Sequence, residues 1–547
     1  MFARIKTSGR YQYLQLVANR KEQGKTKQQV IATLGRLDQL QAKGDIEKII
    51  HSLAKFSENT LLILSGKGEA DAHAVSIGPA LIFDRLWHEL GLPKIIGELL
   101  DGRKFEFNME RTIFLTVLHR LFSSGSDRSC DRWRRDYAIS GVDGIALHHQ
   151  YRAMAFLGET LTEQDGATPF SPRCNKDLVE ESLFGRHRDL FTGLDLVFFD
   201  TTSIYFEGEG GKTIGRRGHT KGFRPDLRQM VVGALLDSNG RPLCSEMWPG
   251  NTADVTTLLP VVARLQSRFH IKSFCIVADR GMISADTMKK LEHPDCNMPY
   301  ILGVRMRNVK EVRDTVMSDM APCLEVYPES DLLKDPSPLA VKEVFVEGRR
   351  YILCQNSRQA RKDKATREAM IAALTERVKS NPKGLIGNKG YSRYLKVNSG
   401  GMSINQNKIE EEALFDGKWV LRTNIMELSA EEVALKYKEL WQVEQVFRDI
   451  KSVFDTRPVF HKRDETIRGH VFCSFLALVL RKELDQRLEK VGHQFEWEDI
   501  KRDLMALQEV TIEESGRKLA IRTASVGACG KVFQAVHVAM PQSIRNV

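Results

Sequence analysis

Three side chains in one short run carry the chemistry most plainly. Tyr437, Glu444 and Lys451 stand seven residues apart in a stretch without Pro or Gly, where propensity favours helix throughout. Seven residues drift only about 20° on a straight helix. The spacing therefore predicts a phenol, a carboxylate and an ammonium on one stripe. A carboxylate flanked by groups that bind phosphate suits chemistry on a phosphodiester. Two further acids follow apolar runs of strand length: Asp200 after Leu194–Phe199, and Asp279 after Phe274–Ala278. Both are expected to end core strands and emerge at a sheet edge, with the helix of Glu444 lying against that sheet. Three carboxylates from separate elements form an oxygen donor set for hard divalent cations. Mg²⁺ takes one or two carboxylates and completes its shell with substrate phosphate oxygens. Two such ions can clamp an in-line displacement at phosphorus. Each acid also has an ordinary reading, as a turn or capping residue for the aspartates and as a solvated helix residue for Glu444. The joint occurrence is what favours a site.

The elements that must position these residues can be read along the chain. Alternation over 11–20 and a β-rich run over 28–35, with a turn over 21–26, predict a hairpin; a helix over 45–56 follows. Residues 77–92, 109–122 and a helix capped at Ser126 give a helical region. Strands are expected at 194–200, 229–237, 243–248, 274–279 and 300–304, with a helix over 254–269 among them. A hairpin at 341–355, a charged helix over 357–379 and β-like runs at 408–415 and 418–423 indicate a β-rich insertion. An apolar helix over 466–483 follows the one bearing Glu444.

Composition narrows the partners. The 547 residues carry 81 Lys and Arg against 71 Asp and Glu, a net charge of +10. Residues 1–60 hold eleven of the cations and five of the anions, so much of the excess is N-terminal. That excess suits a DNA-contacting N-terminal region, and a solvated basic face is the alternative reading. The nine cysteines include no Cys-x-x-Cys pair, which argues against zinc fingers and a disulfide framework. No secretory signal opens the chain, and no apolar run reaches the ~20 residues of a membrane helix. A cytoplasmic, nucleoid-associated bacterial protein is the expectation.

The context of each acid resembles one family. The chain resembles DDE transposases of bacterial insertion sequences, in the group with a Tyr-x2-Arg-x3-Glu-x6-Lys signature. Tyr437, Glu444 and Lys451 match it; Leu440 stands where the family usually has Arg, with Arg448 one turn past Glu444 as a substitute. The blocks Phe198-Phe199-Asp200-Thr201-Thr202-Ser203, Gly218-His219-Thr220-Lys221, Pro249-Gly250-Asn251-Thr252 with Asp254, and Ala278-Asp279-Arg280-Gly281 are similar to the family's in kind and order. The resemblance implies an α/β architecture: an RNase H-like mixed sheet with flanking helices, interrupted by a β-rich insertion, plus an N-terminal basic hairpin and helix unit and a helical domain. The expected divisions are 1–60, 61–190, 191–304, 305–416, 417–490 and a tail over 491–547.

It further implies Asp200, Asp279 and Glu444 as catalytic residues holding two Mg²⁺ ions, with Mn²⁺ able to substitute. Tyr437, Lys451 and Arg448 would hold backbone phosphates. Trp441 is either a stacking surface for an unpaired base or a core anchor. Arg216, His219 and Lys221 lie in a basic, glycine-rich loop that also holds Lys212, Arg217 and Arg224, and DNA-backbone contact is favoured there. The implied partners are double-stranded DNA, as inverted-repeat ends and target, and a second copy of the chain on paired ends. Two alternatives stay open: a metal-dependent nuclease without strand joining, and a catalytically silent repressor that binds inverted repeats.

Overall fold

The computed structural model describes residues 2–546 apart from 23–24, 55–70, 166, 168–170, 187–195, 219–223, 225, 272–273, 295, 333, 381–392, 399–400, 454–455 and 515–516. The chain divides into two compact units. One comprises 1–76, 505–526 and 540–547, the other 77–504 and 527–539.

In the smaller unit, strands Phe2–Ser8, Tyr11–Glu22 and Lys25–Arg36 form an antiparallel sheet. The expected hairpin is present, with one more strand before it. Helices Leu37–Ala42 and Asp45–Ala54 follow. The tail contributes structure that its sequence did not suggest. Strands Gln508–Glu514, Arg517–Arg522 and Ile544–Asn546 join Asp71–Ser76 in a four-stranded sheet.

The larger unit is built on a mixed sheet of nine strands. In chain order these are β1 (Leu196–Tyr205), β2 (Gln229–Leu236), β3 (Pro242–Pro249), β4 (Cys275–Ala278), β5 (Tyr300–Val304), β6 (Leu324–Tyr327), β7 (Leu339–Val346), β8 (Arg349–Gln355) and β9 (Lys418–Thr423). Their spatial order is β6-β7-β8-β9-β5-β4-β1-β2-β3. β1, β2 and β3 form an antiparallel meander, while β4 and β5 run parallel to β1. Three antiparallel strands followed by two parallel ones define the RNase H-like sheet. Beyond β5 the ladder continues without a break into β9, β8, β7 and β6. Strands from 324–355 thus extend the same sheet. Most of the run 408–415, read from sequence as β-like, lies in helix Gln406–Ala413, which Asn405 caps by accepting from the Lys408 N–H.

One face of the meander and of β4–β5 packs on helix α1 (Leu258–Phe269). Val197 and Phe199 of β1, Ile276 and Ala278 of β4 and Leu302 of β5 meet Leu258, Val261, Val262 and Leu265 there, all buried. The other face receives α2 (Ala430–Lys438) and α3 (Trp441–Arg448). Helix α4 (Asp464–Lys490) packs against helices Met109–Phe122 and Leu147–Leu157. It buries Val471, Phe472, Phe475, Leu476 and Leu480.

A buried charge cluster ties the helix Asn175–Arg186 to this sheet. Lys176 Nζ donates to Asp177 Oδ1 and to the Ser245 carbonyl, both at 2.8 Å. Arg268 donates to Glu180 Oε2 at 2.7 Å, and Arg264 to Glu246 Oε1 at 2.9 Å. Arg268 also reaches Glu246 Oε1 at 3.2 Å. All of these side chains are buried. Removing one partner of a buried pair leaves an uncompensated charge. Glu246→Ala removes the carboxylate that Arg264 and Arg268 share while each keeps Asp177 within reach, and a loss of about 1.5–3 kcal/mol in urea unfolding is expected. A loss below ~1 kcal/mol would mean that water compensates them.

Candidate functional site

The parallel register of β1 and β4 builds the site. Phe198 pairs with Val277 and Phe199 with Ala278. One residue past this last pair come Asp200, still within β1, and Asp279, just beyond the end of β4. Phe199 and Ala278 face α1, so alternation turns the two acids to the opposite face, where α3 lies. Asp279 follows its strand as expected, with extended backbone. Asp200 does not end its strand, however: β1 runs on through Thr201-Thr202-Ser203-Ile204-Tyr205 and pairs with β2 along that length. Buried hydroxyl residues continue the ladder past the point where the apolar run ends. The edge that exposes Asp200 is made by β4, which stops beside it.

The stripe predicted over 437–451 is broken. α2 ends at Lys438, Glu439 and Leu440 make a tight turn, and α3 restarts at Trp441. The Leu440 N–H bonds to the Tyr437 carbonyl and the Val443 N–H to the Leu440 carbonyl, contacts of three residues that tighten the turn. The turn buries Leu440 and directs Val443, Val446 and Phe447 inward, so packing overrides helix propensity. A π turn over Asp449–Val453 ends the run. Tyr437 and Glu444 therefore reach the site from two helices, and Lys451 leaves the line.

A cleft of about 490 Å³ gathers the result. Asp200, Asp279 and Glu444 all line it, with Tyr437, Trp441 and Leu440 beside them. Arg280 and Lys438 bring positive charge, and Trp419 of β9 adds an aromatic wall. Tyr437 Oη donates to Asp279 Oδ1 at 3.3 Å. Burial, and then the Asp279 charge, push the phenol well above its ordinary range, so it stays a donor. Gly303 makes room for that phenol: a Cβ there would lie 2.4 Å from Tyr437 Oη and 3.1 Å from the Arg280 nitrogen. Arg305 fastens the loop after Asp279 by donating to the carbonyls of Arg280 and Gly281, both at 3.2 Å. On the α1 side of β1, the Thr201 hydroxyl donates to Asp254 Oδ1 at 2.7 Å, while the Thr201 N–H donates to Asp200 Oδ1 at 2.6 Å.

The donor set is all oxygen, which suits a hard divalent cation. The three acids do not bring three ligand atoms mutually within 4.8 Å; among the described residues only Asp127, His461 and His470 do so, with one carboxylate oxygen and two ring nitrogens.

The remaining expected residues are dispersed. Trp441 is 59% exposed, which removes the core-anchor reading and leaves an aromatic face at the cleft. Arg448 is exposed at the end of α3, and Lys451 lies in the π turn; neither lines the cleft. Arg216 is exposed, and its backbone pairs with Gln229 at the start of β2. His219 and Lys221 fall outside the described residues. Sequence reasoning gave no role to Arg280, Lys438 or Gly303. Arg280 and Lys438 adjoin Asp279 and Tyr437 in the chain, which was the available signal; Gly303, inside an apolar strand, marked a close approach.

Residues 192–480 match the family model described as the transposase DDE domain, and residues 3–66 the one described as the IS1634 family transposase N-terminal domain. The chain belongs to the transposase DDE domain family. A solved structure of a piggyBac transposase synaptic complex with hairpin DNA is a distant likeness, at 10% identity and a TM-score of 0.38 over 78% of this chain and 79% of that one. No curated protein matches the chain. No helix among the described residues is long and apolar enough to cross a membrane.

The Gly303–Tyr437 contact is open to a thermodynamic cycle. Gly303→Ala is expected to cost about 1–3 kcal/mol by overpacking. The cost should shrink in a Tyr437→Phe background, where the nearest clashing atom is gone. Urea unfolding of the four proteins measures it; equal costs in both backgrounds would place the strain elsewhere.

Proposed function

We propose that this transposase binds the terminal inverted repeats of its element, cleaves DNA at those ends in a Mg²⁺-dependent reaction, and joins the freed 3′-hydroxyls to target DNA. The observation that carries this reading is the single cleft shared by Asp200, Asp279 and Glu444. In it, Asp200 and Asp279 would hold the divalent cations from adjacent chains of the sheet, with Glu444 approaching from α3. Bound there, Mg²⁺ supplies activation of the attacking oxygen and stabilisation of the leaving one. Mn²⁺ is expected to substitute.

The chain's own groups do the positioning. Tyr437 remains protonated and fixes the orientation of the Asp279 carboxylate through its hydrogen bond. Arg280 and Lys438 offset the charge of a phosphodiester drawn into the cleft. Trp441 offers an exposed ring on which an unpaired base beside the cut can stack. Arg448, Lys451 and the loop of Arg216, His219 and Lys221 are assigned to DNA backbone outside the cleft. The basic N-terminal unit is assigned to recognition of the repeats. Two ends brought together call for two copies of the chain, most simply a dimer. Action on the bacterial chromosome implies a cytoplasmic, nucleoid-associated protein.

Paired-end DNA tests the reading. Asp200→Asn, Asp279→Asn and Glu444→Gln are each expected to lower cleavage by at least about 10³-fold while leaving repeat binding near wild type. Chelation of divalent ions should abolish cleavage and spare binding, with Mg²⁺ restoring activity. Full cleavage by any of the three variants would overturn the assignment. Pre-cleaved ends report joining separately: hydrolysis without strand transfer would make the protein a nuclease.

A further inference from the structure

A second cavity, distinct from the carboxylate cleft, has the chemistry of a nucleotide site. It measures about 770 Å³ and lies between the start of helix Asp127–Trp133 and the segment 457–463. Four cations line it: Arg128, Arg457, Lys462 and Arg463. Two aromatic rings line it as well, and both are unusually open, Phe460 at 61% and Tyr151 at 39% exposed. Asp127 is the one acid in the lining, and it is engaged by Arg120 at 3.6 Å and by His461 at 3.4 Å. Arg463 has Glu465 at 2.8 Å nearby.

The wall behind these groups reinforces the positive potential. Arg120 is 1% exposed, and its Nε and Nη1 have no hydrogen-bond partner among the described residues. Its Nη2 donates to His470 Nδ1 at 2.8 Å, while His470 Nε2 donates to the Thr456 carbonyl at 3.2 Å. His461 Nε2 also meets His470 Nδ1, at 3.0 Å. Asp127, His461 and His470 are close enough to share a metal ion, but the His470 lone pair is already used and a buried guanidinium stands against it. The cluster suits an anion better than a cation.

The segment is tied to the strand that carries Asp200. The Val459 N–H donates to the Tyr205 carbonyl and the Glu207 N–H to the Val459 carbonyl, so 457–463 docks on the far end of β1. Five residues of strand separate Asp200 from Tyr205, roughly 17 Å. That distance is within reach of a few nucleotides of an extended DNA strand. We propose that this cavity holds unpaired DNA leading away from the cut, with phosphates on Arg128, Arg457, Lys462 and Arg463 and a base stacked on Phe460 or Tyr151. The inference rests on the transposase reading of the carboxylate cleft.

Binding of a labelled mixed-sequence single-stranded oligonucleotide to the full chain, followed by anisotropy over a range of salt, tests it without relying on cleavage. Phe460→Ala should weaken that binding roughly tenfold, as loss of one stacked base does. Lys462→Gln with Arg463→Gln should flatten the salt dependence by about one to two phosphates' worth. Affinity for the same sequence as a blunt duplex should change far less. Wild-type affinity and salt slope in both variants would overturn the proposal, and so would an equal loss for duplex. Cleavage of paired-end DNA by Asp279→Asn is scored separately: if that variant cleaves normally, the cleft assignment fails while the cavity result stands by itself.

Discussion

The pairing of β1 with β4 is the constraint on which the site depends. A parallel ladder fixes which residues stand abreast, and here Asp200 and Asp279 each follow its last pair, Phe199 with Ala278. Two like charges would otherwise repel one another apart. They are held together because Val197, Phe199, Ile276 and Ala278 are buried against α1 on the reverse of the same strands. A slip of one residue would turn every one of those side chains to the wrong face. The apolar core and the placement of the acids are thus one specification, enforced at every second residue.

The third acid is placed by a different device. Glu444 belongs to a helix that begins only after a turn at Glu439 and Leu440. That turn lets Tyr437 point at Asp279 from one direction while Glu444 enters from another. An unbroken helix would hold the two on a single line with a fixed rise. The bend is also where the family's usual arginine is replaced by Leu440, now part of the buried contact. Positive charge in the cleft comes instead from Arg280 and Lys438, each adjacent in sequence to a residue of the site.

Much of this architecture was legible in the residues. The strands at 229–236 and 300–304, the helices at 109–122 and 357–380, and the apolar run before Asp279 follow from periodicity and turn signals. What escaped was of three kinds. Buried Thr and Ser extended β1 past Asp200, because cross-strand pairing rather than hydrophobicity decides such positions. The turn at 439–440 arose from packing that local propensity does not encode. The tail over 508–522 forms strands whose partner, 71–76, lies more than four hundred residues earlier, beyond any local pattern. The convergence of the three acids was suggested by their types and neighbours, and the shared cleft required the fold.

The ladder from β5 into β9 carries a consequence for how the cleft works. Trp419 stands on β9 across from the acids, and β9 is pinned to β5 from Val420–Val304 to Thr423–Ile301. The wall opposite the carboxylates therefore belongs to the same rigid plate as their floor. It cannot swing aside like a door without tearing backbone hydrogen bonds. Any widening of the cleft to admit a bulky double helix falls to the side that carries α2 and α3, which rests on the sheet through side chains and not through a strand ladder.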